Sequence, residues 1–208
     1  MAYKQEQYGS LRCLTSIPAG QPTQERWPVL VFLHGIQEAA PAPIDIALAA
    51  HGPLQANSAP EATQCFVVVA PQLPQSGDWN RQAQAVREIA FEVARALQGN
   101  LRKMYLTGFS LGANGVLGMA SNQQDVWAAV WPVDPTQAPA GMIERPIWVS
   151  AGQRSRGHKA ALMGTLDLQE LGSQGPTDRV YEDAGLGHVE TAAPCIREQH
   201  DLQVATTS

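Results

Sequence analysis

The sequence predicts an α/β fold, a mostly parallel sheet flanked by helices on both faces. The prediction rests on two observations. Short, nearly continuous apolar runs recur along the chain, and stretches with helical spacing of apolar residues fall between them. A run without polar alternation suits a strand covered on both faces, as in a parallel sheet. Regular exchange of such runs with helices is the pattern of a doubly wound α/β sheet.

Taken in order, "LRCLTSI" (Leu11 to Ile17) reads as an early strand stopped by Pro18 and Gly20. "PVLVFLH" (Pro28 to His34), "CFVVVA" (Cys65 to Ala70), "KMYLT" (Lys103 to Thr107), "VWAAVWPV" (Val126 to Val133) and "PIWVSA" (Pro146 to Ala151) supply further strands, and "DRVYED" a last one. Between the third and fourth runs, Val86, Ile89, Ala90, Val93 and Leu97 repeat at i, i+3, i+4 spacing, which predicts one buried helix face. Asp78 or Asn80 is expected to cap that helix and Gly99 to end it. "LGANGVLGMA", after Ser110, predicts a small-residue helix packed close to strands, and "KAALMGTLDLQELG" (Lys159 to Gly172) another helix. The Ala- and Pro-rich segment from Gln37 to Gln64 is expected to be a long connection holding one short helix near Ile44 to Ala50. The tail after Arg197 is short for a packing helix.

At 208 residues the chain is expected to form one domain, residues 1–208, large enough for a substantial core. A net charge of −5 gives no electrostatic reason to expect nucleic acid or an anionic membrane as a partner. Cys13, Cys65 and Cys195 lack both metal-ligand spacing and the even number of a disulfide framework, so idle thiols are expected. "MAYKQEQYGS" has no apolar core of a signal peptide, and no run approaches a bilayer-spanning length. A soluble, cytoplasmic protein is the expectation.

The chemistry concentrates at Gly108-Phe109-Ser110-Leu111-Gly112, which fits G-x-S-x-G between a predicted strand and a predicted helix. That context is what a nucleophile elbow requires. A sharp strand-to-helix turn forces the serine into a strained conformation, so its neighbours must nearly lack side chains. The hydroxyl then stands exposed at the helix start, with the Leu111 N–H aimed where negative charge would develop. "FLHGIQE" places His34 and Gly35 directly after a buried strand; the Ile36 N–H there is the expected second oxyanion donor, with His34 and Gly35 beside the substrate. "GLGH" puts His188 in a glycine-flanked loop after the last strand, where a base can reach the serine. His34, His51, His158 and His200 are worse placed for that role.

These pieces, in this order, resemble the α/β-hydrolase superfamily. The nearer likeness is to phospholipase/carboxylesterase-like and predicted-peptidase-type esterases, and the chain is also similar to polyhydroxybutyrate-depolymerase-type and feruloyl-type esterases. "RWPVLVFLHGIQE" looks like the oxyanion-loop segment and "HGPL" (His51 to Leu54) like a recurring stretch of such enzymes. "FVVVAPQLPQSGDW" resembles the strand and loop that set an aromatic, here Trp79, near the acyl pocket. "YLTGFSLGANGVLGMA" resembles the elbow with its helix, "AAVWPVDP" and "RPIWVSAGQ" the next two strands, and "YEDAGLGH" the histidine loop. The resemblance implies an α/β-hydrolase fold, ester hydrolysis and no metal or organic cofactor.

One departure stands out. The family's triad acid usually follows the strand that "PIWVSAG" resembles, and the matching position here is Ser155. Asp134, one strand earlier, is the first candidate for the acid and preserves the order Ser, Asp, His, although Asp134-Pro135 also reads as a turn signal. Asp183 is the second candidate, and a Ser110–His188 pair without an acid is the third. Arg154, Arg156, His158 and Lys159 form a basic cluster at the vacant position, read as a solvated loop or a site for a substrate carboxylate. The leading functional expectation is a serine carboxylesterase acting on a small-molecule ester. The alternative is a catalytically impaired hydrolase-fold protein that binds a ligand in the old pocket.

Overall fold

The computed structural model describes residues 3–22, 26–55, 60–75, 77–139, 141–170, 179–183 and 188. Its centre is a nine-stranded sheet. The strands are β1 (Lys4–Tyr8), β2 (Leu11–Ser16), β3 (Trp27–Leu33), β4 (Val67–Gln72), β5 (Gly99–Phe109), β6 (Ala129–Val133), β7 (Trp148–Gly152), β8 (Gln169–Glu170) and β9 (Arg179–Asp183). Their spatial order is β1-β2-β4-β3-β5-β6-β7-β9-β8. β2 pairs antiparallel with β1 and with β4, and every other pairing is parallel.

The helices are α1 (Ile44–Ala50), α2 (Pro60–Cys65), α3 (Ala83–Ala96), α4 (Leu111–Asn122) and α5 (Arg156–Leu166). Because side chains alternate along a strand, the apolar runs feed two cores. Val29, Val31 and Leu33 join Val67, Val69, Leu106 and Val149 on one face, under Val86, Ile89, Val93 of α3 and Val116 of α4. Leu30 and Phe32 join Val68, Ala70 and Tyr105 on the other, under Ile44 and Leu48 of α1. Cys13 lies in the first core, and burial, aided by Glu6, pushes its thiol up to about 12. Cys13 and Cys65 are both free thiols, whereas Cys195 lies outside the described residues. None of the described helices is long and apolar enough to cross a membrane.

Several boundaries differ from those the sequence predicts. β1 is an unanticipated, largely exposed edge strand of polar residues. α2 occupies the residues just before β4, so Cys65 closes a helix rather than opening a strand. α3 is preceded by a 3₁₀ turn, Asn80–Gln82, and Asp78 accepts the Asn80 N–H at 2.9 Å, serving that turn and not α3. Gly99 does not end α3: Gln98 takes the left-handed turn at φ 57° and Gly99 begins β5. A glycine is needed there for space, since a Cβ would lie 2.6 Å from Val29 Cγ2. α5 begins earlier than predicted and stops at Asp167, whose left-handed φ of 52° turns the chain into β8.

The arrangement levels the strand ends that matter. Leu33 pairs with Gly108, Phe109 with Val133, Val133 with Ser150, and Gly152 with Asp183. The residues that follow β3, β5, β6 and β7 therefore emerge along one carboxyl edge of the sheet. The chain crosses from β3 to β4 on one side and later to β5 on the other, so the winding reverses at β3, where open α/β sheets generally bind their ligands.

Candidate active site

Ser110 stands between β5 and α4 with φ 57° and ψ −115°, a conformation a residue with a side chain rarely adopts. Its flanking glycines answer to contact. A Cβ on Gly112 would sit 1.9 Å from the Leu33 carbonyl oxygen, and one on Gly108 would sit 2.7 Å from the Gly112 carbonyl carbon. β3, β5 and α4 thus converge so closely that only hydrogen fits between them. The Ser110 N–H donates to the Val133 carbonyl at 3.0 Å, fixing the turn to β6. Leu111 opens α4, so its N–H belongs to the first helical turn, where no intrahelical acceptor exists.

His188 lies with Nε2 2.7 Å from Ser110 Oγ and Nδ1 against Asp134 Oδ2. Its ring packs at 5.0 Å from that of Phe109, between centroids. Asp134 follows β6 with a left-handed φ of 45° and is almost fully buried. Its own N–H donates to Ser150 O at 2.7 Å, its Oδ1 accepts the Gly152 N–H at 3.0 Å, and its Oδ2 accepts the Ser155 hydroxyl at 2.9 Å. A buried carboxylate must have its lone pairs occupied, and these partners from β7 and the turn after it do so. With the carboxylate holding Nδ1–H, Nε2 is left as the acceptor facing the Ser110 hydroxyl. Asp183, the other acid considered, closes β9 beside Gly152.

The loop after β3 is braced from beneath. His34 is fully buried; Leu73 N–H donates to its Nε2 at 2.9 Å, which leaves Nδ1–H to donate to Gly35 O at 2.6 Å. Burial pushes this imidazole down to about 4, so it is neutral at ordinary pH. Trp79, also fully buried, donates Nε1–H to the His34 carbonyl at 3.0 Å and meets the His34 ring edge-on at 5.0 Å. Both side chains, expected beside the substrate, are fully buried and hold the loop in place. Gly35 does lie at the site, where a Cβ would be 3.7 Å from Ser110 Cβ. Ile36 beside it is 70% exposed, so the loop tip faces solvent.

No protein-family model matches the sequence, and no curated protein matches it. Solved structures do match. A thermostable esterase superposes with a TM-score of 0.69 at 17% identity, over 98% of this chain and 62% of that one. FphF, a fluorophosphonate-binding serine hydrolase of Staphylococcus aureus, superposes with a TM-score of 0.69 at 10% identity, over 100% and 99% of the two chains. An S-formylglutathione hydrolase (FrmB) from Staphylococcus aureus gives 0.67 at 11% identity, over 99% and 96%. The chain has the α/β-hydrolase fold.

Within this hydrolase frame the carboxylate at the histidine comes from the end of β6, and Ser155 occupies the turn after β7. Two residues near the serine carry no sequence signal. Phe109, the variable position of G-x-S-x-G, packs between His188 and His51, whose ring lies 5.5 Å away. Glu38, buried at 5% exposure, sits 3.4 Å from His51 Nε2 through Oε1. The "HGPL" stretch that contains His51 was the one available hint. Arg154 of the basic cluster lies in the 3₁₀ turn Gln153–Ser155 and Lys159 in the first turn of α5; the side chains of Arg156 and His158 fall outside the described residues. Among the described residues, no group of His, Cys, Asp and Glu could hold a metal ion.

Proposed function

We propose that this chain is a serine hydrolase that cleaves carboxylic esters of small molecules through an acyl-enzyme. The observation that carries the reading is the approach of Ser110 Oγ to His188 Nε2, 2.7 Å, with Asp134 on the opposite ring nitrogen. In the first half-reaction His188 Nε2 takes the Ser110 proton as Oγ bonds to the acyl carbon. The carbonyl electron pair moves onto oxygen, which the Ile36 and Leu111 N–H groups receive. Asp134 holds the imidazolium through Nδ1–H. Collapse expels the alcohol, protonated by His188. Water, deprotonated by the same nitrogen, then repeats the sequence on the acyl-enzyme and releases the carboxylic acid. Every proton passes through one nitrogen, and the chain needs no metal or organic cofactor for these steps.

The fold, shared with esterases and a fluorophosphonate-binding serine hydrolase, supports the same reading. The vacant acid position at Ser155 and the basic loop motivate the alternative of a non-catalytic binding protein; a carboxylate against His188 supports the catalytic reading instead. One domain, residues 1–208, working in the cytoplasm completes the proposal. Hydrolysis of short-chain p-nitrophenyl esters by the wild type and by Ser110→Ala tests it. Turnover by the wild type alone is expected, and equal rates for both proteins would refute the assignment.

A further inference from the structure

Ser155 ends the 3₁₀ turn Gln153–Ser155 that leads directly into α5, and its side chain makes no capping hydrogen bond. Its hydroxyl donates instead to Asp134 Oδ2 at 2.9 Å. That oxygen is also the one against His188 Nδ1. The carboxylate is thus held at both oxygens, Gly152 N–H on Oδ1 and Ser155 Oγ–H on Oδ2, which leaves the second lone pair of Oδ2 for His188.

Resting on the hydrolase reading of Ser110, His188 and Asp134, we propose that Ser155 is the positioning residue of the acid: its hydroxyl locks the Asp134 carboxylate toward His188. The geometry explains the strand from which the acid comes. Asp134 has a left-handed backbone at the end of β6 and would be free to swing about its χ angles without a clamp. The end of β7 and the turn after it supply the two clamping donors, Gly152 N–H and Ser155 Oγ–H.

The test is turnover of a p-nitrophenyl ester by a set of variants. Ser155→Ala should lower kcat about tenfold with KM unchanged, the loss expected of a donor to a charged group, and Ser155→Thr should restore it. In an Asp134→Asn background Ser155→Ala should cost less than about twofold, because the group it positions has lost its function. Wild-type kcat in Ser155→Ala, or equal losses in both backgrounds, would overturn the proposal. Ser110→Ala, assayed in parallel, keeps the two claims apart. If it turns over like the wild type, the hydrolase reading falls. If it is inactive while Ser155→Ala is fully active, the Ser155 assignment alone falls.

Discussion

Asp134 Oδ1 accepts the Gly152 N–H at 3.0 Å, so the side chain that ends β6 is pinned by the backbone that ends β7. Asn at 134 would keep an acceptor for that N–H and tolerate the left-handed φ of 45°, while removing the charge beside His188. Asp134→Asn is therefore predicted to leave the thermal midpoint nearly unchanged and to lower kcat by about three to four orders of magnitude. Circular dichroism melting and ester turnover on the same preparation check this. A kcat loss under about tenfold would remove Asp134 from the mechanism.

Trp79 is a strut whose indole N–H holds the His34 carbonyl. Trp79→Phe keeps most of the buried ring but strands that carbonyl, at a cost of about 1–3 kcal/mol. The predicted kinetic result is a lower kcat at unchanged KM, because the loop bearing the Ile36 N–H loosens while no ligand contact is lost. Steady-state kinetics distinguish this from a pocket-wall role, for which KM would rise.

At Gly112 a Cβ would overlap the Leu33 carbonyl oxygen at 1.9 Å, and the atom in the way is backbone. Gly112→Ala is predicted to cost about 3 kcal/mol or more, since β3 and α4 must move apart. A chain of this size would then melt about 6–12 °C lower. Calorimetry of the variant reads this directly, and an unchanged midpoint would mean that the elbow is not packed as described.

His34 gives a pH dependence of stability. Burial lowers its folded pKa to about 4, below the ordinary 6.5, so between those values the unfolded chain binds the proton more readily. Its contribution is therefore fully present above about pH 6.5 and is lost as pH falls toward 4, by roughly 2 kcal/mol between pH 7 and 5. Other groups titrate in that range too, so the informative quantity is a difference. Urea unfolding of the wild type should lose about 2 kcal/mol more over this interval than His34→Gln does, and equal losses would contradict a buried neutral imidazole.

Much of the sheet was legible because central parallel strands are apolar on both faces, and β3, β4 and β5 announce themselves that way. β1 was not, since the exposed edge residues Lys4 to Tyr8 carry no apolar pattern. α2, six residues long, and the left-handed stop at Asp167 are decided by packing and backbone geometry that composition does not encode. At the site, the elbow is a local feature and reads directly from Gly108 to Gly112. The clamp on Asp134 unites residues 21 and 54 positions apart, so the sequence could rank Asp134 against Asp183 but not choose by contact. Trp79 is illegible for a related reason: an aromatic in a loop after a strand looks alike whether it lines a pocket or props up the neighbouring turn.

The central claim is that Ser110 is a nucleophile activated by His188. Its most direct test is reaction of the native protein with a fluorophosphonate, followed by mass spectrometry of the peptides. The account predicts one adduct on the peptide containing Ser110, absent in Ser110→Ala and strongly slowed in His188→Ala. A wild-type protein that stays unlabelled where a control esterase reacts to completion would contradict it.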